Sequence, residues 1–135
     1  METVKPFMDA WRDDSLGMKP IFRDLLNTLV EKEQVRIEFV ERPGISYSLR
    51  GIHERQNDRP LFVMIDIIDD DPMARWLSVC FYGDMIEDPD ERGDLIPEGL
   101  LGSDGTCFDI VESDQALKEY VGQRIQEAYA HVGKG

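Results

Sequence analysis

The stretch "LFVMIDIIDDDPMARWLSVCFY", residues 61–82, decides how this chain is read. Two apolar segments flank an acidic, proline-bearing turn, and in both the side chains alternate. Leu61, Val63, Ile65 and Ile67 take one face of the first segment, and Leu77, Val79 and Phe81 take one face of the second. A period of two is the mark of a β-strand, because successive side chains point to opposite sides of a sheet.

Working toward the N-terminus, "VRIEFV" at 35–40 repeats the rhythm, with Val35, Ile37 and Phe39 set against Arg36 and Glu38. "ERPGI" follows as a turn, Pro43 presetting one backbone angle and Gly44 tolerating a positive φ. "ISYSLRGI" then reads as the second arm of a hairpin. Earlier still the period changes to helical. Val4, Met8 and Trp11 share one face, Gly17 and Pro20 interrupt, and Ile21, Phe22, Leu25, Leu26, Leu29 and Val30 form a second apolar stripe.

Working toward the C-terminus, "TCFDIV" at 106–111 is a fifth short strand. The chain then becomes helical after Ser113, a good N-cap, with Leu117, Tyr120, Val121, Ile125, Ala128, Tyr129 and Val132 in one stripe and Gly133 placed to end it. Helices, then strands without intervening helices, then a helix describe an α+β fold. The expectation is an antiparallel meander sheet of four or five strands, with the N-terminal and C-terminal helices packed on one face. At 135 residues the chain, 1–135, is expected to form a single domain.

Composition narrows the partners. Fifteen basic and 28 acidic residues leave a formal charge of -13, which repels phosphate backbones and anionic headgroups, so neither nucleic acid nor a membrane is expected as partner. The longest apolar run, residues 61–65, is far too short to span a bilayer. Cys80 and Cys107 stand singly in apolar runs and no leader opens the chain, so a cytoplasmic location is expected, with both thiols buried as small hydrophobes. Both fall on the second face of their strands, where they approach one another if those strands pair.

The acidic stretch 83–110 holds nine carboxylates and one arginine. From Asp88 it superficially follows a calcium loop, with Asp88, Asp90 and Gly93 at the first, third and sixth places. Arg92 and Gly99 then occupy places that need oxygen ligands. A divalent-metal-binding domain or metal-dependent enzyme using loop 84–98, with Asp66, Asp88, Asp90 and Asp94 as candidate ligands, is therefore the alternative reading. The bland reading makes the stretch an Ω-loop anchored by Leu95, Ile96, Leu100 and Leu101. Nucleophilic catalysis has no local signature: His53, in an expected loop, and His131 lie far in sequence from either cysteine, there is no G-x-S-x-G, and no phosphate loop precedes a helix.

The more informative feature is the second face of the sheet. The alternation places Phe62, Met64, Trp76 and Tyr82 there, among serines, Arg50 and Asp66, with Asp66 expected to pair with Arg50. Apolar groups set among hydrogen-bonding ones resemble a protein interface. The leading expectation is a non-enzymatic, cytosolic protein-interaction module without a cofactor, binding a protein partner or itself as a homodimer, through Trp76, Arg50, Phe62, Met64 and Tyr82. The competing expectation is that the N-terminal segment around Phe7 and Trp11 covers this face.

Overall fold

The structure, a computed structural model, describes residues 4–134. Two helices, α1 (Val4–Ala10) and α2 (Met18–Val30), precede four consecutive strands: β1 (Val35–Arg42), β2 (Ser46–His53), β3 (Val63–Ile68) and β4 (Trp76–Tyr82). A 3-10 turn at Gly83–Met85 leads to β5 (Asp94–Leu100) and β6 (Ser103–Ile110), and α3 (Gln115–Lys134) closes the chain. The class is α+β, as the alternation indicates. The sheet is antiparallel throughout in the order β1-β2-β3-β4-β6-β5.

Six strands, not four or five, make up this sheet. The additional one, β5, lies within the acidic stretch and corrects its reading as an Ω-loop. Of the four anchors expected there only Leu100 is buried; Leu95, Ile96 and Leu101 are exposed. Pro97 is tolerated because β5 is an edge strand, where a missing N–H breaks no ladder on the open side. Its register with β6 shifts between Ile96 and Leu100.

All three helices lie on one face. Phe7 of α1 packs on Phe39 and Tyr47, with ring centroids 5.5 and 4.3 Å away. From α3, Tyr120 meets Phe108 and Tyr129 meets Phe62. Leu29 of α2 lies so close to β2 that a Cβ on Gly51 would stand 3.3 Å from its Cδ2. Between the layers Leu49, Ile65, Ile67, Leu77, Val79, Phe81 and Ile110 are wholly excluded from solvent.

Local chemistry sets the element ends. The hairpin turn has Gly44 at φ 84° after Pro43, and the Ile45 N–H donates to the Arg42 carbonyl at 2.9 Å. α2 begins two residues before Pro20, and the Asp14 carboxylate accepts from the N–H groups of Met18 and Lys19 at 2.7 and 2.9 Å. At α3 the capping side chain is Asp114, which accepts from the Leu117 N–H at 3.0 Å, and not the expected Ser113. The helix also runs through Gly133 to Lys134 where a stop was expected.

One buried ion pair ties the hairpin to α1. Asp69, 3 % exposed, accepts from the Gly44 N–H at 2.8 Å and from Arg75 Nε at 2.6 Å. The Arg75 guanidinium lies over the rings of Phe7, Trp11 and Tyr47 at 5.1–5.5 Å. Such a pair holds because both charges keep hydrogen-bonded or π partners after leaving water.

Candidate binding face

The face opposite the helices carries no covering element among the described residues. Phe7 and Trp11 lie on the helix side, so coverage by the N-terminal segment is ruled out for residues from Val4 onward. Strand register fixes what the open face presents. One row across it reads Glu38, Arg50, Met64, Cys80, Cys107 and Asp94. The next reads Val40, Ser48, Asp66, Ser78 and Asp109, and the one beyond it Arg42, Ser46, Ile68 and Trp76.

Four of the five residues expected on this face are there by register: Trp76, Arg50, Met64 and Tyr82. Tyr82 is 3 % exposed and is covered by Arg59, whose guanidinium sits 4.3 Å from the ring centroid and forms a bidentate pair with Asp84 at 2.7 and 3.0 Å. It is therefore a supporting residue more than a contact surface. Phe62 corrects the expectation. It precedes β3, and its ring packs under α3 between His53 and Tyr129. Strict alternation starts only at Val63, and the space left by the absent side chain of Gly51 admits the Val63 and Phe62 side chains together.

Cys80 and Cys107 are directly opposed on β4 and β6 and joined as a disulfide, their Cα atoms 4.1 Å apart. This replaces the two buried thiols of the sequence reading. The bond forms part of the floor of a groove of about 280 Å³, together with Met64 and Ser78. Trp76 and Ile68 bound one end, and Ile96 and Gly99 of β5 form a side wall.

Three carboxylates line the same groove: Asp66, Asp94 and Asp109. Asp94 and Asp109 are exposed, whereas Asp66 is half-buried between Ser48 and Ser78. Burial pushes the Asp66 carboxyl above its ordinary pKa, and the Ser48 hydroxyl with the Arg50 and Arg42 charges only partly offsets it. The expected Asp66–Arg50 ion pair is absent. Arg50 lies one row away, opposite Met64, and its Nε donates to Ser48 Oγ at 3.4 Å, while Asp66 Oδ1 has no hydrogen-bond partner. An acceptor left so costs about 1–3 kcal/mol.

The four candidate metal ligands are not brought together. Asp66 and Asp94 line the groove, but Asp88 turns toward α3, accepting from the hydroxyl of Tyr120 and from the N–H groups of Arg92 and Gly93 at 3.1 and 3.0 Å. Burial works to raise the Asp88 pKa, and these hydrogen bonds outweigh it, so the pKa lies below the ordinary value. The Asp90 N–H in turn donates to Tyr120 Oη at 3.1 Å. The acidic turn is thus a packed loop held by one carboxylate. Among the described residues no set of three His, Cys, Asp or Glu side chains converges as a cation site.

His53 ends β2 and is not in a loop. It is 4 % exposed, its Nδ1 accepts from the Arg55 N–H at 3.1 Å, and burial holds its pKa below the ordinary value. Tyr129, 5.2 Å away between centroids, covers it. The imidazole is a neutral wall of the core. Among the described residues no helix is long and apolar enough to cross a membrane. Comparison with protein-family models, with curated proteins and with solved structures finds no match for this chain.

Proposed function

We propose that this chain is a non-enzymatic protein-interaction module that seats its partner on the open sheet face, with Trp76 and Arg50 as the contact residues and Met64 in the floor beneath them. One observation carries the reading. Every helix among the described residues packs on the same side, leaving opposite them a six-stranded face with an apolar floor, an indole at its end and a buried carboxylate oxygen without a partner. Solvated sheet faces are polar throughout, whereas a mixed apolar and hydrogen-bonding surface matches the centre of a protein interface. Trp and Arg are the side chains that most often dominate binding energy there.

The cysteines bear on where the module works. One ground for expecting a cytoplasmic location is two unpaired thiols, and the Cys80–Cys107 bond removes that ground, since disulfides persist mainly in oxidising compartments.

The test is Trp76→Glu, compared with Gln123→Glu on the exposed surface of α3. The first substitution is expected to weaken self-association or recovery of a protein partner at least about 10-fold, the change that 1.4 kcal/mol produces. The second leaves both unchanged. Equal binding by the two variants, each folded by circular dichroism, refutes the assignment of this face.

A further inference from the structure

We infer that the occupant of the open face is a second copy of this chain, stacked sheet to sheet about a two-fold axis. This rests on the reading of that face as a binding surface and names the partner. The argument starts from how charge divides across the sheet. On the open face β1 and β2 present Arg36, Arg42 and Arg50 against one acid, Glu38, which takes up Arg36 at 2.8 Å. The other four strands present Asp66, Asp94 and Asp109 and contribute no basic side chain of their own to that face. One side of the face is a cationic strip and the rest, where Arg59 over Tyr82 is paired with Asp84, is anionic.

Strand order turns this division into self-complementarity. In the order β1-β2-β3-β4-β6-β5 the midline falls between β3 and β4. A two-fold axis along that midline lays β1 and β2 of one copy over β5 and β6 of the other, and the same contact repeats by symmetry. Arg50 then lies over Cys107, between Asp94 and Asp109, while Glu38, its charge taken up by Arg36, lies over Asp94, and the contact is made twice. At the axis Met64, Ile68 and Trp76 meet the β3 and β4 residues of the second copy on either side of the Asp66 and Ser78 row, giving a mixed apolar and hydrogen-bonding centre with a charged rim. Asp66, on β3 beside the axis, then faces Ser78 of the second copy, whose hydroxyl can donate to the carboxylate oxygen left without a partner within the chain.

The area is sufficient. Six strands spaced about 4.8 Å apart and about seven residues long at about 3.4 Å each present roughly 600 Å² per copy. Roughly 1,200 Å² in total reaches the lower limit for a specific interface. The charge of -13 on each chain opposes any association of copies, so the opposed strips are what makes this one arrangement favourable.

Charge reversal tests it in a way that no foreign partner imitates. Arg36, Arg42, Asp94 and Asp109 are all exposed, so reversing them leaves the core intact. One variant carries Arg36→Asp with Arg42→Asp, the other Asp94→Arg with Asp109→Arg, and both are checked by circular dichroism. Sedimentation velocity on the full chain is expected to show a dimer for the unaltered protein. Each variant alone should associate at least about 10-fold more weakly, because like charges then face each other twice. An equimolar mixture should dimerise again, since both contacts of the mixed pair are of opposite sign. A monomeric unaltered chain, a dimer indifferent to both reversals, or a mixture that stays monomeric overturns the inference. If the unaltered chain is monomeric yet recovers a different protein through Trp76, the binding face stands and the second copy falls; if Trp76→Glu changes nothing, both fall.

Discussion

Reducing the Cys80–Cys107 bond should lower stability without altering the fold. The bridge joins residues 27 apart in sequence and encloses the whole acidic turn and β5. Closing a loop of that size restricts the unfolded chain by about 12 cal/mol/K, or about 3.5 kcal/mol at 25 °C in the chain-entropy account. For a domain between 100 and 150 residues about 1 kcal/mol moves Tm by roughly 3–5 °C, so the expected fall is about 10–18 °C. The folded state should survive, because β4 and β6 remain paired from Leu77 with Ile110 to Tyr82 with Gly105.

The assay is a pair of thermal melts, with and without a phosphine reductant, alongside thiol titration in denaturant. Oxidised protein should show no titratable thiol, and the far-ultraviolet spectrum at 25 °C should be the same in both samples. A Cys80→Ser, Cys107→Ser double variant should melt near the reduced protein and ignore the reductant. Two thiols per chain in protein prepared without reductant refute the bond itself. A Tm shift below about 2 °C with the bond demonstrably cut refutes the loop-entropy argument.

Two further outcomes test the packing. Gly51→Ala should destabilise by about 1–3 kcal/mol in urea unfolding, since the added Cβ would lie 2.9 Å from Val63 Cγ1 and 3.3 Å from both Leu29 and Phe62; an equally stable variant would show that the two layers can part there at no cost. Burial depresses the His53 pKa below 6.5, so the unfolded chain takes up a proton that the folded chain resists as pH falls through that value. Stability should accordingly be full above about pH 6.5 and decline below it, and His53→Gln should flatten that decline between about pH 6.5 and 5, where carboxylates contribute little; an unchanged slope would place the linkage elsewhere.

The parts of the fold legible in the sequence are those where burial on one side enforces a period. β2, β3 and β4 carry Leu49, Ile65, Ile67, Leu77 and Val79 in register, and one-residue slips would turn all of them to water. That is why Asp66, Ser78 and Trp76 emerge on the same face from alternation alone. β5 had no such enforcement. Its residues are almost all exposed, Pro97 and Gly99 argue against a strand, and its pairing with β6 rests on backbone hydrogen bonds that leave no trace in side-chain pattern. Phe62 departs from the alternation for a different reason: it lies one residue before the strand entry at Val63, where the chain is still bending.

The candidate face depends on both kinds of element, which explains why its outline was readable and its chemistry was not. Alternation identifies who shares a side, but whether Cys80 meets Cys107 depends on β6 lying next to β4, a long-range choice that leaves β5 outside as the edge. The same choice moves Asp94 and Asp109 into the groove and separates Asp94 from Asp88, dissolving the metal set that adjacency in sequence suggested. It also places Asp94 and Asp109 on one side of the midline and leaves the arginines of β1 and β2 on the other. Had β5 paired outside β1 instead, Asp94 would lie among those arginines and the charge division would be blurred. The polarity of the open face, and with it the capacity to recognise its own copy, is therefore a property of strand order more than of composition.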